Sequence, residues 1–311
     1  MTRKEQLKGK DLLTLADYSK SEIAYILELA MEIKQKQKNG EVYQPLKGKT
    51  LGMIFEKSST RTRVSFETGI YQLGGMGLFL SSNDIQLGRG EPISDTAKVL
   101  SGYLDGIMIR TFSQQDVEDL AANASIPVIN GLTDDYHPCQ VLADLQTIQE
   151  VKGRLEGLKL AYIGDGNNMA HSLIIGCAKM GLDVAIAAPE GYQPDENIVK
   201  QAQAFTDDSE IFITEDVVEA VKDADVIYSD VWASMGQEEE QNEREKAFAS
   251  YQVNADLFSH AKQDAIFMHC LPAHRGEEVT AEIIDGDQSV VFQEAENRLH
   301  AQKALMVALM G

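Results

Sequence analysis

The chain has 311 residues, of which 43% are hydrophobic and 25% are charged, as in an ordinary globular protein of one or two domains. Its 49 acidic and 28 basic side chains give a formal net charge of −21 at pH 7, which argues against nucleic acid or an anionic membrane as the main partner. The three cysteines are widely spaced, the N-terminus has no apolar signal segment, and no apolar run reaches about 18 residues, so we expect a cytoplasmic protein.

The first half of the chain predicts strands that alternate with helices. Apolar residues at helical spacing follow a cap at Ser19 or Ser21, and Gly40 ends this amphipathic helix. A short buried strand at 49–57 precedes a helix that begins at Ser59 and ends at Gly74. The other predicted elements of this half are strands at 105–112 and 126–131 and helices at 113–123 and 138–152.

A charged segment at 151–159, punctuated by glycines, predicts a domain boundary, and a second alternating series follows it. Its predicted strands lie at 160–166, 183–189, 210–216, 225–231, 264–272 and the start of 289–310, and its helices at 168–180, 195–205, 216–222 and from 295 onward. The charged run at 236–254 is interpreted as a solvated face or a mobile loop. Strands that alternate with helices imply parallel sheets, so the predicted fold class is α/β with two doubly wound domains.

The segment STRTR gathers hydroxyls and cations directly after the first buried strand. Residues 59–62 fall in the first turn of a helix, where unpaired backbone N–H groups and the helix dipole favour an anion. Arginine adds a fork of donors that matches phosphate. A helix cap beside solvent-exposed arginines explains the pattern equally well, and the GxxxxGK motif of nucleotide-binding loops is absent.

The segment GDGNNMAHS at 164–172 also joins a strand to a helix, which invites a dinucleotide-binding interpretation. Met169 replaces the third glycine of that fingerprint, and no acidic residue is cleanly placed after the next strand. The helix start could instead receive a carboxylate, with Asn168 offering an amide. A tight turn that simply needs glycine is the third interpretation.

Other candidate residues lie at helix starts and strand ends. His137 and Gln140 bracket the start of a helix, and Cys270 follows a strand in MHCLP. A zinc site that joins them to Cys139 and His269 is disfavoured, because the spacing is not that of a zinc motif and strand neighbours point to opposite faces. A cysteine nucleophile at 270 has no base marked near it in the sequence.

Two charged residues remain, and they complete an ordered set of motifs. Asp230 ends a predicted strand, where it could hold a substrate ammonium or cap a loop. Arg298 falls in the first turns of the last predicted helix, against the dipole, which indicates an anionic partner. The motifs STRTR, HPCQ, DVWASMG, HCLP and AENR, in this order, resemble the ornithine carbamoyltransferases of the aspartate/ornithine carbamoyltransferase family.

The resemblance covers nearly the whole chain. STRTR and HPCQ mark the wider family, whereas DVWASMG and HCLP mark ornithine-specific members, since aspartate-specific members have HPLP and both they and putrescine-specific members lack SMG. It implies transfer of the carbamoyl group of carbamoyl phosphate to the side-chain amine of L-ornithine, giving L-citrulline and phosphate, in arginine biosynthesis or arginine catabolism. It implies no metal or organic cofactor, and a homotrimer with shared active sites.

The resemblance also implies roles for residues at the motif positions. Carbamoyl phosphate would bind in domain 1–150, on which the terminal helix 295–311 packs, and ornithine in domain 151–294. The residues implied for carbamoyl phosphate are Ser59, Thr60, Arg61, Thr62, Arg110, His137, Gln140, Cys270, Leu271 and Arg298, with Gln86 reaching into a neighbouring subunit. Those implied for ornithine are Asn168, Asp230, Ser234 and Met235, and the catalytic set is Arg61, Arg110, His137, Asp230 and Cys270.

The expected chemistry is direct attack of the neutral δ-amine on the carbamoyl carbon, with phosphate leaving. Preorganised donors such as Arg61, Arg110 and His137 would each stabilise the developing charge by about 3–4 kcal/mol. Cys270 is interpreted as a group that orients the amine, because the direct route needs no covalent intermediate. The SMG loop is expected to close over the ligand as a lid.

Three other functions stay open on the sequence. A nicotinamide-dependent dehydrogenase would use the GDGNN turn, although Met169 disfavours it. A non-enzymatic protein that binds a phosphorylated metabolite would be expected to lack at least one of Arg61, His137, Asp230 and Cys270, and this chain has all four. Putrescine or another amine is the nearest alternative acceptor.

Overall fold

The structure is a computed structural model that describes residues 3–85, 90–206, 209–233 and 240–311. It divides into two compact units: unit 1 comprises Met1–Gln146 and Glu296–Gly311, and unit 2 comprises Thr147–Ala295. Each unit is built on a parallel sheet with helices, which confirms the predicted α/β class with two doubly wound domains. Within these ranges no helix is both long enough and apolar enough to cross a membrane.

Unit 1 contains a four-stranded parallel sheet in the order β2-β1-β3-β4. Its strands are β1 (Thr50–Phe55), β2 (Met76–Ser81), β3 (Gly106–Arg110) and β4 (Val128–Leu132), and its helices include α1 (Arg3–Leu7), α2 (Lys20–Lys38), α3 (Thr60–Gln72), α4 (Ile93–Ser101), α5 (Gln114–Asn123) and most of α6 (Pro138–Lys152). Strand β1 pairs with both β2 and β3, and its apolar run is buried from Leu51 to Phe55, as is typical of an interior strand of a parallel sheet. Helix α2 begins with a capping box between Ser19 and Glu22, so Ser19 is its cap.

Unit 2 contains a five-stranded parallel sheet in the order β7-β6-β5-β8-β9. Its strands are β5 (Lys159–Ile163), β6 (Asp183–Ala187), β7 (Ile211–Thr214), β8 (Val226–Ser229) and β9 (Ile266–His269). Its helices are α7 (Asn168–Met180), α8 (Glu196–Gln203), α9 (Val217–Val221), α10 (Gln241–Phe248), α11 (Ala255–Phe258) and α12 (Ala281–Ile284), followed by the start of α13 (Val291–Met310).

The strand order of each sheet reverses once. From β1 the chain continues to β2 on one side and then to β3 on the other, and from β5 it continues to β6 on one side and later to β8 on the other. Open parallel sheets bind ligands outside the carboxyl ends of the two strands that flank such a reversal. The topology therefore places a candidate ligand site after β1 and β3 in unit 1 and another after β5 and β8 in unit 2.

The C-terminal helix α13 packs on unit 1, as predicted. A Cβ added at Gly69 of α3 would meet Met306 Cε at 3.0 Å and Lys303 Cγ at 3.2 Å, so glycine allows the two helices to approach closely. At the far end of α13, the backbone N–H of Gly9 donates to the carbonyl of Leu309 over 2.9 Å. These two contacts hold α13 against unit 1, the unit that carries STRTR, along most of its length.

Two predictions about the last third of the chain are wrong. The start of 289–310 is not a strand, because Ser289 forms only an isolated bridge with Phe267 and α13 already begins at Val291. Arg298 therefore lies about two turns into α13, beyond the reach of the N-terminal dipole. The described part of the charged run at 236–254 contains α10, which is largely exposed and buries only Arg244 and Phe248, so the interpretation as a solvated face holds for this helix.

Candidate active site

The STRTR segment lies at the carboxyl end of β1, on one side of the strand reversal of unit 1. Ser59 caps α3, and its Oγ accepts a hydrogen bond from the backbone N–H of Thr62 over 3.2 Å. The cap interpretation is thus correct, and the same first turn holds Thr60, Arg61 and Thr62 and no acidic residue, as an anion site would require. Thr62 is buried, Arg61 is half-buried and Thr60 is exposed.

Two further predicted residues of unit 1 are buried. Arg110 ends β3, on the other side of the strand reversal, and His137 directly precedes α6; their exposed fractions are 7% and 6%. Burial, together with the nearby guanidinium groups of Arg298 and Arg110, holds the pKa of His137 well below its usual range. His137 is therefore neutral at physiological pH, so one ring nitrogen can donate a hydrogen bond while the cationic charge resides on the arginines.

Arg298 binds two other members of the predicted phosphate set directly. Its Nη1 donates to Gln140 Oε1 over 2.6 Å, and its Nη2 donates to Thr62 Oγ1 over 3.1 Å. Gln140 is held in turn, because its Nε2 donates to Asp144 Oδ1 over 2.8 Å. Residues from α3, α6 and α13 thus form one hydrogen-bonded cluster in unit 1, beside the helix start that carries STRTR.

In unit 2, Asp230 lies at the carboxyl end of β8, on one side of the strand reversal, and only 6% of it is exposed. Its Oδ1 accepts hydrogen bonds from Cys270 Sγ over 3.0 Å and from the backbone N–H of Val231 over 2.8 Å. Its Oδ2 accepts from Asn167 Nδ2 over 3.0 Å. The structure therefore brings Asp230 and Cys270 together, with the thiol donating to the carboxylate.

Asn167 is a candidate functional residue that the sequence reasoning missed. Its Oδ1 caps α7 by accepting from the backbone N–H groups of Met169 at 2.9 Å and Ala170 at 3.4 Å, and its amide nitrogen reaches Asp230. The predicted residue Asn168 is the first residue of α7. An asparagine directly before a helix is the signal that could have identified Asn167 as a cap.

The two glycines of GDGNN meet different backbone requirements. A Cβ added at Gly166 would lie 2.2 Å from the backbone nitrogen of Pro194, and Gly164 has a φ of +151°. These requirements account for both glycines without a dinucleotide. The tight-turn interpretation of this segment is therefore correct.

The residue after Cys270 has an unusual backbone. Leu271 has a φ of +55°, in the left-handed region that a leucine rarely adopts. Its backbone N–H donates to His269 Nδ1 over 2.9 Å, and His269 Nε2 lies 3.1 Å from Glu278 Oε1. Because Nδ1 accepts, Nε2 carries the proton and donates to Glu278, so this pair fixes the imidazole and, through it, the HCLP turn.

Asp230, His269 and Cys270 offer potential metal-ligand atoms within 4.8 Å of one another. Both ring nitrogens of His269 already have hydrogen-bond partners and the Cys270 thiol donates to Asp230, so the arrangement shows a hydrogen-bonded turn rather than an open coordination site. Burial raises the pKa of the Cys139 thiol to about 12, in agreement with its interpretation as a small core residue. The predicted residues Gln86, Ser234 and Met235 lie outside the described part of the chain.

Comparisons with known proteins cover both units. Residues 10–150 match the family model for the carbamoyl-P binding domain of aspartate/ornithine carbamoyltransferase, and residues 156–309 match the model for its Asp/Orn binding domain. The chain is 69% identical to the ornithine carbamoyltransferase of Oceanobacillus iheyensis, over 99% of this chain and 97% of that protein. It is 64% identical to the ornithine carbamoyltransferase of Bacillus subtilis, over 98% and 95% respectively. The solved ornithine carbamoyltransferase of Pyrococcus furiosus superposes with a TM-score of 0.95 at 58% identity, covering 98% of each chain.

Proposed function

The chain belongs to the aspartate/ornithine carbamoyltransferase family, and we propose that it transfers the carbamoyl group of carbamoyl phosphate to the δ-amine of L-ornithine, giving L-citrulline and phosphate. The δ-nitrogen bonds to the carbamoyl carbon, the carbon–oxygen bond to phosphate breaks with its electron pair on the leaving oxygen, and the proton that the nitrogen loses balances the charge of the departing phosphate as hydrogen phosphate. The step needs no covalent enzyme intermediate. Its barrier falls when both substrates are held in register and the developing charge meets fixed donors.

Unit 1 supplies the groups suited to carbamoyl phosphate. The start of α3 presents backbone N–H groups and hydroxyls to an anion, and Arg61, Arg110 and Arg298 add positive charge. His137 is neutral, so it can donate a hydrogen bond to the carbamoyl oxygen without yielding a proton to the phosphate. The side-chain oxygen of Gln140 already accepts from Arg298. Gln140 therefore links Arg298, the cation proposed to bind phosphate, to helix α6.

Unit 2 supplies the groups suited to ornithine, and one observation carries this assignment. Asp230 is a buried carboxylate at the strand reversal, held by Asn167 and Cys270, and it offers a negative charge to an ammonium group. An amino acid with two carboxylates would need additional cations there, so the site favours ornithine over aspartate. Asn168, Ser234 and Met235 would contribute the rest of the ornithine contacts, and Cys270 with the Leu271 backbone would contact the reacting groups.

The direct test offers ornithine, putrescine and aspartate separately with carbamoyl phosphate and measures the carbamoylated product and phosphate. We expect citrulline from ornithine alone. Turnover of putrescine or aspartate instead would retain the phosphate site and overturn the acceptor assignment. Phosphate binding without turnover of any amine would favour a non-enzymatic binding protein.

We also propose that the protein is a homotrimer. The edge strand β2 and the adjacent face of α3 expose several large apolar side chains: Val64 at 55%, Tyr71 at 76%, Met76 at 55% and Phe79 at 38%. An exposed apolar patch on a sheet edge is the type of surface that oligomerisation buries. Val64→Glu should shift the native mass from trimer to monomer, whereas Val218→Glu, at an exposed valine of α9 in unit 2, should not. A Val64→Glu trimer would contradict this interface.

None of the three cysteines, all of which lie in the described part of the chain, forms a disulfide, which supports a reducing and hence cytoplasmic compartment. Cys139 and Cys177 are buried, and Cys270 is half-buried beside Asp230.

Oxidation of Cys270 would remove its donor to Asp230, so activity should fall on treatment with peroxide and return with a thiol reductant.

A further inference from the structure

Gln302 is a fully buried residue of α13 that lies one helical turn after Arg298. Its neighbours fix the orientation of its amide: the amide oxygen accepts from Arg298 Nε at 3.1 Å and from Arg298 Nη2 at 3.0 Å. The amide nitrogen then donates to Ser65 Oγ and to the backbone carbonyl of Arg298. Every polar atom of this side chain is thus used within unit 1.

These contacts complete a frame around the Arg298 guanidinium. Gln302 holds one edge of the guanidinium, while Gln140 Oε1 and Thr62 Oγ1 accept from its terminal nitrogens. All three partners are uncharged oxygens, so they orient the guanidinium without neutralising it. A carboxylate at the same place would pair with the cation and weaken its attraction for an anion.

Gln302 also reaches the helix start that carries STRTR. Ser65 Oγ, which accepts from the Gln302 amide, donates to the backbone carbonyl of Arg61 over 2.6 Å. A single side chain therefore connects Arg298 with the first turn of α3. The close packing of α13 on Gly69 makes this connection rigid, because neither helix can move away without opening a cavity.

We propose that Gln302 is a positioning residue for the phosphate-binding group of unit 1: it fixes the direction of the Arg298 guanidinium and the first turn of α3 while leaving the positive charge available to the anion. The proposal rests on the proposed function only in naming carbamoyl phosphate as the ligand. Binding of inorganic phosphate tests it without any turnover.

The primary variant is Gln302→Met, which keeps the volume and removes every polar contact. Its matched control is Gln72→Met, which removes an amide at the same helix pair, where Gln72 Oε1 accepts from Lys303 Nζ over 2.9 Å, without touching Arg298. Calorimetry with inorganic phosphate should show binding weakened about tenfold or more in Gln302→Met and unchanged in the control, since the hydrogen bonds to the Arg298 guanidinium are lost only in the former. Steady-state kinetics should show the same rise in KM for carbamoyl phosphate, with KM for ornithine unchanged.

Gln302→Glu provides a second variant if the methionine variant fails to fold. Its carboxylate can still accept from Arg298, so the fold is retained, but the added charge should weaken phosphate binding by about tenfold or more. Wild-type phosphate affinity in a folded Gln302→Met or Gln302→Glu protein would overturn the proposal. Absence of citrulline formation in the wild type, with phosphate binding still lost in the variants, would instead overturn the proposed function and leave the role of Gln302 intact.

Discussion

Replacing Asn167 by serine separates the two tasks of this side chain. Asn167 Oδ1 caps α7, a task that a serine hydroxyl performs equally well, so the change of cap should alter the free energy of unfolding by less than about 0.5 kcal/mol. Serine is too short to replace the amide nitrogen that donates to Asp230 Oδ2 over 3.0 Å. The substitution should therefore keep the cap of α7 while it removes the donor to the Asp230 carboxylate.

The size of the effect follows from the type of bond that is lost. A hydrogen bond to a charged group contributes about 1.5–3 kcal/mol, and Asp230 is only 6% exposed, so water does not readily replace the lost donor. This range corresponds to a roughly tenfold to 150-fold loss in kcat/KM for ornithine. Asp230 retains its bonds from Cys270 and Val231, which favours the lower half of the range.

The assay combines urea unfolding with steady-state kinetics for each substrate. Asn167→Ser should lose kcat/KM for ornithine while phosphate binding, measured by calorimetry, keeps its wild-type dissociation constant. Asn254→Ser is the matched control, because Asn254 caps α11 of the same unit by accepting from the Leu257 N–H. Wild-type kcat/KM for ornithine in Asn167→Ser, or an equal loss in Asn254→Ser, would refute the role assigned to the Asn167–Asp230 contact.

Three further predictions concern charge and hydrogen bonding. Thr62→Val removes an acceptor of Arg298 and should raise KM for carbamoyl phosphate roughly tenfold without changing KM for ornithine. Asp230→Asn removes the negative charge proposed to bind the ornithine ammonium group, so kcat/KM for ornithine should fall by about two orders of magnitude. The dissociation constant of phosphate, measured by calorimetry, should be unchanged. The pKa of His300 is lowered from its ordinary 6.5 to about 4, chiefly by burial and then by Lys303 and Lys34. The unfolded chain therefore takes up this proton at higher pH than the folded protein, and up to roughly 3 kcal/mol of stability is lost as the pH falls from 6.5 towards 4. Urea unfolding of His300→Gln should show a smaller loss over that interval than the wild type.

The sequence predicted most of the fold because the central strands are nearly continuous apolar runs. Strand β1 is buried along five residues and β5 along four, and patterns of this kind are hard to mistake when glycines and polar turns bound them. Strand β2 escaped prediction for the opposite reason. It is the edge of its sheet and exposes Met76, Leu78 and Phe79, so neither alternation nor a buried run marks it.

Tertiary contacts overrode local patterns at the C-terminal side. SVVF has the composition of a strand, yet Val291 is buried at the start of α13 while Phe292 is 70% exposed, which fits one face of a helix. In the charged run, Arg244 is buried because its Nη1 donates to Asp165 Oδ2 over 2.7 Å and to the Trp232 carbonyl over 3.0 Å. Neither partner can be identified from the run itself.

The site residues that directly follow a strand end could be predicted from the sequence. The residues that hold them in place could not be predicted where they are distant in sequence. STRTR and Asp230 follow β1 and β8 directly, so topology alone places them at the two strand reversals. Gln302 is far from Ser65 in sequence, and nothing local reveals their contact. The groups that bear charge, together with Thr62 and Gln140, are thus visible in the sequence, whereas the contacts of Gln302 and Asn167 with them become visible only in the structure.

The local positive charge of unit 1 also explains why so acidic a chain can bind a phosphate. A net charge of −21 acts over the whole surface and is screened by salt within about 10 Å, whereas the start of α3 acts on a ligand in direct contact. Unit 1 adds Arg110 and Arg298, both less than one-tenth exposed, so their charges are shielded from bulk water and act strongly over short distances. Because the local donors and not the net charge determine binding, removing surface carboxylates should change the rate of phosphate association more than its dissociation constant. A dissociation constant that tracks net charge across such surface variants would contradict this reasoning.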